Sequence, residues 1–142
     1  RNVALKQPTR QTSTFTPPDD PLGTDSVPEH AVDGNTNSTF SDKSCTHTDG
    51  SSPSWAVTFN TTFVINQFLL YNRGDLQERL FNFTLIAFDN LQEVIHYQDK
   101  EEKPLLVYTV NENTSYQITQ VNISNANKSN PYLTICEVQI FG

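Results

Sequence analysis

Apolar residues along this chain recur at a spacing of two, in short runs broken by Asn, Asp, Gly and Pro. In "WAVTF" (Trp55 to Phe59), Trp55, Val57 and Phe59 alternate with smaller or polar residues. That spacing puts the three large side chains on one face of an extended strand. The runs "FVINQFLLYN", "FNFTLIAF", "EVIHY", "LLVYTV", "SYQI", "VNIS" and "LTICEVQIF" are equally short and rich in β-branched and aromatic residues, the types that fit a pleated surface. Together these segments predict about eight strands. No window of helical length carries an apolar face at i, i+3, i+4 and i+7, although "DLQERL" has the makings of a turn. An all-β antiparallel sandwich, or jelly roll, is the expected architecture.

The stretch from Arg10 to Ser54 breaks this pattern. It holds most of the prolines and glycines, many Ser, Thr, Asp and Asn, and few apolar anchors. A loop region of that length is uncommon in a compact domain unless it carries function or is ordered by a ligand. Within it, "EHAVDGNTNSTFSDKSC" offers Asp33, Asn35, Asn37, Asp42 and Ser44 as oxygen donors, with Gly34 permitting a tight turn. Hard cations such as Ca²⁺ want such oxygens. Ordinary Asx turns, with an N-linked glycan on Asn37, account for the same composition, and the twelve-residue frame of an EF-hand is absent.

Composition narrows the classes. At 142 residues the chain is long enough for one domain and short for two, so residues 1–142 are read as a single unit. Asp and Glu number 16 against 9 Lys and Arg, and no basic run occurs. No electrostatic footprint for nucleic acid or an anionic membrane results. The longest mainly apolar stretch is interrupted by Asn66 and Gln67, far short of the roughly 20 residues that span a bilayer. Starting at Arg1 with neither methionine nor an apolar signal core, the chain reads as a processed or excised piece.

Asn-x-Ser/Thr sequons stand at Asn37, Asn60, Asn82, Asn113, Asn122 and Asn127, none with proline in the middle. They favour a glycosylated protein of the extracellular space, secreted or part of an ectodomain. Cys45 and Cys136, far apart and without Cys-x-x-Cys spacing, read as one long-range disulfide between an early loop and the last strand. Closing a loop of about 90 residues stabilises by roughly 4 to 5 kcal/mol at most in the chain-entropy model.

"NVALKQPTRQTSTF", then "AVDGN", "SCTHT" and "PSWAVTF", then "YNRGD" with "RL" shortly after, and "CEVQIFG" at the end resemble, in order and approximate spacing, the F-type lectins or fucolectins. These are the fucose-binding branch of the discoidin-like sandwich folds, and the resemblance covers nearly the whole chain. It implies a β-jelly roll with long loops at one end, where L-fucose binds beside a structural Ca²⁺. Carried over by position, the sugar-binding histidine falls on His47, the two arginines on Arg73 and Arg79, and the aspartate between them on Asp75. Rigid guanidinium forks suit vicinal hydroxyls and a ring oxygen. In this reading His47 offers a donor or acceptor to an axial hydroxyl, and Asp75 orients an arginine. Phe40, Leu22 and Leu76 are the candidates for the methyl group and apolar ring edge of the sugar. For the ion, the resemblance implies His30 and Cys136 through their main chains, with Asp33, Asn35, Ser44 and Glu137. The side chains of His30 and His96 are read as ordinary solvated or partly packed histidines, and Trp55 as sandwich core.

Two features depart from the family pattern. The pair of adjacent cysteines that commonly follows Arg-x-Asp, packing on the sugar, is missing from "RGDLQER", which is also one residue shorter. The interval from His47 to Arg73 is one residue short as well. A second reading is therefore a lectin-like interaction domain of a larger receptor or adhesion protein with a degenerate sugar site. Arg73-Gly74-Asp75 also spells the integrin-binding tripeptide, but it directly follows the apolar run "FLLYN" rather than a flexible loop. With both cysteines read as paired and no Gly-x-Ser-x-Gly or His-Glu-x-x-His present, the expectation is a non-enzyme. Its expected partners are fucosylated glycans or glycoproteins.

Overall fold

The computed structural model describes residues 1–112, 115–125 and 130–142. Among the described residues eight strands form: β1 (Thr9–Gln11), β2 (Ser54–Val64), β3 (Gln67–Tyr71), β4 (Phe83–Asp89), β5 (Gln92–Gln98), β6 (Val107–Asn111), β7 (Gln117–Asn125) and β8 (Glu137–Phe141). They pair antiparallel in two sheets, of order β1-β2-β7-β4-β5 and β6-β3-β8. Inward positions repeat every second residue: Phe83, Leu85 and Ala87 on β4, Phe68 and Leu70 on β3, and Val138 and Ile140 on β8 are all fully buried. These faces meet in one core, the all-β sandwich that the alternation predicted. Among the described residues no helix is long and apolar enough to cross a membrane.

Two local departures have physical causes. "SYQI" and "VNIS" are not two strands, because β7 runs unbroken across the middle of its sheet with β2 and β4 on either side. "FVINQFLLYN" is divided: Phe63 and Val64 end β2 after a register shift, and β3 begins at Gln67. At the corner, Asn66 donates to the Phe141 carbonyl and accepts from Glu112. The segment "DLQERL" does contain a turn, a 3₁₀ helix at Gln77–Leu80.

The long polar stretch is ordered chiefly by what lies behind it. It contains 3₁₀ helices at Pro28–Val32 and Phe40–Asp42, and buries Ala31 and Val32. Trp55 is fully buried in the core and donates from its indole N–H to the Pro28 carbonyl at 3.0 Å. The expected disulfide joins Cys45 to Cys136, 91 residues apart in sequence, and both are fully buried. It fastens the stretch to the residue before β8.

Candidate functional site

One end of the sandwich gathers the segment 12–53, the connection between β3 and β4, and the approach to β8. Segment Cys45–Thr48 runs against residues 131–136 as an irregular ladder. Thr46 and Thr48 donate from their main-chain N–H groups to the carbonyls of Ile135 and Leu133, and their hydroxyls accept the N–H groups of the same two residues at 3.0 and 2.8 Å. His47 lies between these two anchored threonines, so its backbone has little freedom.

The His47 ring is 3% exposed. It stacks on Phe15 at 4.4 Å and meets the edges of Phe40 and Tyr132, each at 5.3 Å. Its Nδ1 lies 2.7 Å from the Thr48 carbonyl, which can only accept, so Nδ1 carries the proton. Nε2 therefore accepts, and Arg79 Nη1 donates to it at 3.0 Å. Burial pushes the imidazole down to about 4, with the Arg79 and Arg73 charges acting the same way and the Thr48 bond opposing them. His47 is neutral at physiological pH. In the ligand-free fold both ring nitrogens of the expected sugar-binding histidine are engaged. Its ring positions Arg79, and a hydroxyl reaches Nε2 only by taking the place of the Arg79 donor.

The arginines are held in parallel ways. Arg73 lies with its guanidinium carbon 4.5 Å from the Phe40 ring centre, and Arg79 lies 4.3 Å from that of Tyr132. Each cation thus rests on an aromatic face, which attracts it and fixes its plane. Arg73, 6% exposed, also donates from Nε and Nη2 to the two Asp75 oxygens at 3.0 and 3.2 Å. That fork, ahead of other influences, keeps the Asp75 carboxyl below its usual range. Arg79 is partly exposed. Burial first, and then the Arg73 charge, lower its affinity for the proton, yet a guanidinium stays charged at any physiological pH.

Asn72 holds the loop that carries both arginines, and nothing in its sequence context marks it. It is fully buried. Its amide donates to the carbonyls of Gln77 and Leu105 at 2.9 and 3.1 Å, with a longer contact to Leu80 at 3.4 Å, and its oxygen accepts the Arg73 N–H at 2.9 Å. The Tyr108 hydroxyl adds a bond to the Leu80 carbonyl at 2.8 Å. The chain can then reverse through Leu76, whose φ of 48° is left-handed, and return Arg79 toward Arg73. Tyr132 and Phe15 were equally hidden, because their role arises from contacts across the fold.

Two depressions flank Phe40. One, of about 360 Å³, is lined by Ser38 to Ser41 and by Arg73, Gly74 and Asp75. The other, of about 440 Å³, shares Phe40 and Ser41 with it and extends toward Phe15, Asp19, Asp25 and Lys43. Of the expected apolar contacts, only Phe40 lines either one. Leu76, on the same loop as the arginines, is 42% exposed, and Leu22 is 84% exposed at a turn; neither lines either of these two depressions. Arg73, buried against Phe40 and paired with Asp75, is not presented as an integrin-binding tripeptide requires.

The residues expected around an ion also lie close in the fold. Glu137 is fully buried and neither carboxylate oxygen has a hydrogen-bond partner. Burial, followed by the charge of Asp33, pushes its pKa up to about 8, while the nearby amides of Gly34 and Asp33 offset this in part without reaching hydrogen-bond geometry. A buried carboxylate of this kind beside a second carboxylate fits a cation. The oxygen set is of the right type: Asp33 and Asn35 each cap an Asx turn, and the Ser44 hydroxyl, buried, donates to the Thr39 carbonyl and keeps its lone pairs. The His30 ring is tied through Nδ1 to the Cys45 carbonyl at 3.1 Å, and the role expected of this residue uses its main chain. Asn37 and Asp42 bond each other at 2.9 Å. Among the described residues no group of three or more His, Cys, Asp and Glu side chains is arranged to hold a metal, so any cage rests on two carboxylates plus neutral oxygens.

His96 is exposed on β5 beside Glu93. Of the sequons, Asn37, Asn60 and Asn82 are exposed and Asn122 is partly so; Asn113 and Asn127 lie outside the described residues.

Comparison with known proteins gives a consistent picture. Residues 30–129 match the family model described as NedA-like, galactose-binding domain. Fucolectin-4 of Anguilla japonica is 41% identical over 46 residues, 32% of this chain and 26% of that protein, so the match spans about a quarter of the curated relative. A fucose binding module from Streptococcus pneumoniae superposes with a TM-score of 0.84 at 28% identity, covering 100% of this chain and 98% of that one. An F-lectin from the serum of Morone saxatilis, the striped bass, does so with a TM-score of 0.83 at 27% identity, covering 99% of this chain and 48% of that one. These relatives are lectins and binding modules, and the expectation of a non-enzyme rests on them. With 30–129 matched, most of its length, the chain is a member of the family of NedA-like, galactose-binding domains.

Proposed function

We propose that residues 1–142 form one extracellular carbohydrate-binding module that takes L-fucose at the end of a glycan. The observation that carries this reading is the convergence of Arg73 and Arg79 at one end of the sandwich, each seated on an aromatic ring, with His47 between those rings. Charged donors held in fixed planes are suited to adjacent hydroxyl and ring oxygens, and the depression beside Phe40 and Arg73 provides an apolar edge for a deoxy-sugar. The similarity to fucolectins and to a fucose binding module supports the sugar. The disulfide and the serum origin of one relative support the extracellular setting.

The reading includes a structural Ca²⁺. Asp33 and Glu137 would supply the charge, and Asn35, Ser44 and the main chains of His30 and Cys136 the neutral oxygens. A divalent cation would neutralise the two carboxylates and hold the 33–44 segment against β8. The unpartnered oxygens of Glu137 support it.

The test is a glycan-array screen in calcium buffer followed by titration with L-fucose. Binding should compete with free fucose and not with mannose, and should fall at least about tenfold in Arg73→Ala and Arg79→Ala without loss of fold. Undiminished binding by both variants rules out the clamp. A folded protein that binds no fucosylated glycan is instead an interaction module whose sugar site has decayed.

A further inference from the structure

The larger depression, on the far side of Phe40, has no part in the clamp, yet it shares Phe40 and Ser41 with the depression beside Arg73. A ligand seated at Arg73 and continuing past Phe40 enters it. Its volume of about 440 Å³ lies within the range of small-ligand pockets. Phe15 and Phe40 give the lining apolar ring surface, suited to the C–H side of a sugar, and its polar part holds three carboxylates.

Charge decides which sugar. Asp20, Asp25 and Asp19 line this groove with Lys43, three carboxylates against one ammonium. Lys43 already pairs with Asp25 at 3.6 Å. The Asp20 oxygens accept from the Asp25 and Thr24 amides and the Thr24 hydroxyl, and the Asp25 bond chiefly keeps its carboxyl ionised below the usual range. Asp19 is exposed. Ser26, also in the lining, is 1% exposed and its hydroxyl has no hydrogen-bond partner. Buried hydroxyls are ordinarily satisfied, so this one marks the groove as built for a polar occupant. The whole chain carries a net charge of −7, which adds to the same field.

Resting on the fucose reading, we infer that this groove is a second subsite, which receives the neutral sugar next to fucose and rejects a sialylated or sulfated one. Hydroxyl donors of a neutral residue satisfy the carboxylates and Ser26. An anionic residue meets three carboxylates, and the one ammonium, on Lys43, is already paired with Asp25, a repulsive element of specificity.

The experiment titrates L-fucose, a neutral fucosylated trisaccharide, and the same trisaccharide with sialic acid on the residue adjoining fucose, into the wild-type chain and Asp19→Asn/Asp25→Asn. The neutral trisaccharide should bind about tenfold tighter than fucose, and its sialylated form about tenfold weaker than the neutral one, with the gap narrowing at high salt. The double variant should close most of that gap and leave free fucose unchanged. Asp19→Lys, at an exposed position, serves as the second variant and should narrow the gap alone. Equal binding of neutral and sialylated forms, or a gap untouched by both variants, overturns the subsite while fucose binding stands. If free fucose itself does not bind, the fucose reading falls and the subsite with it.

Discussion

Arg79 Nη1 donates to His47 Nε2 across 3.0 Å, while His47 Nδ1 is committed to the Thr48 carbonyl at 2.7 Å. The histidine is thereby fixed in one neutral tautomer, and its remaining lone pair aims a guanidinium. A residue that sequence resemblance presents as a sugar ligand becomes, in the ligand-free fold, the piece that sets the angle of its neighbour.

His47→Phe tests that relationship. A phenyl ring keeps the contacts with Phe15, Phe40 and Tyr132 but has no acceptor for Arg79 and leaves the Thr48 carbonyl without its donor. Stability should fall by about 1 to 2 kcal/mol, measured by urea denaturation. Affinity for L-fucose should fall about tenfold or more by calorimetry. Affinity equal to wild type would mean that Arg79 needs no imidazole to hold its place.

Tyr132 should matter through its ring and not its hydroxyl. With the Arg79 guanidinium 4.3 Å from the ring centre, a cation–π contact of about 0.5 to 2 kcal/mol is at stake. Tyr132→Phe should bind fucose like wild type, and Tyr132→Ala should bind several-fold to about thirtyfold more weakly. Equal loss in both variants would assign the effect to the hydroxyl instead.

The strands were legible because their signal is local: Phe83, Leu85 and Ala87 alternate within five residues, and burial follows. The short β1 was not, since Thr9, Arg10 and Gln11 have no apolar alternation and join the sheet through backbone pairing with Val57, Ala56 and Trp55. The site divides in the same way. His47, Arg73, Asp75 and Arg79 are reached through an ordered set of motifs, and the fold brings them together. Leu22 and Leu76 were assigned on apolar character alone, and the turns that carry them leave both exposed. Tyr132 and Asn72 act through groups that are distant in sequence, such as the Leu105 carbonyl 33 residues from Asn72, and no local pattern reports such a partner.

Asn72 should be among the costly polar positions in the molecule. Asn72→Ala removes the donors to the Gln77 and Leu105 carbonyls and the acceptor for the Arg73 N–H in a fully buried setting. Unsatisfied buried groups cost about 1 to 3 kcal/mol each, so a loss of roughly 3 kcal/mol is expected in urea denaturation, with fucose affinity falling as the loop loosens. Asn72→Asp, which keeps the acceptor and loses the donors, should not rescue it. A loss under about 0.5 kcal/mol, the level of an ordinary surface change, would show that the loop is held by other contacts.

Glu137 should tie stability to pH and, if the proposed ion binds, to calcium. Its folded pKa is raised to about 8 from 4.5, so across that interval the native state holds a proton that the unfolded chain has released. Stability of chelated protein therefore falls as pH rises from 4.5 toward 8. His47 works in the opposite direction: with a folded pKa lowered to about 4 from 6.5, it makes stability rise with pH over its own interval. The two oppose each other between 4.5 and 6.5, and from 6.5 to 8 Glu137 acts without His47. In that upper window the chelated wild type should lose Tm with rising pH, and Glu137→Gln, uncharged throughout, should lose less. Calcium should reverse the trend, because an ion that binds only the folded carboxylates stabilises more as the proton leaves. The expected result is a calcium-induced rise in Tm that is larger at pH 8 than at pH 6 and is abolished in Glu137→Gln. An equal rise at both pH values, or one that survives the substitution, would place any bound calcium away from Glu137.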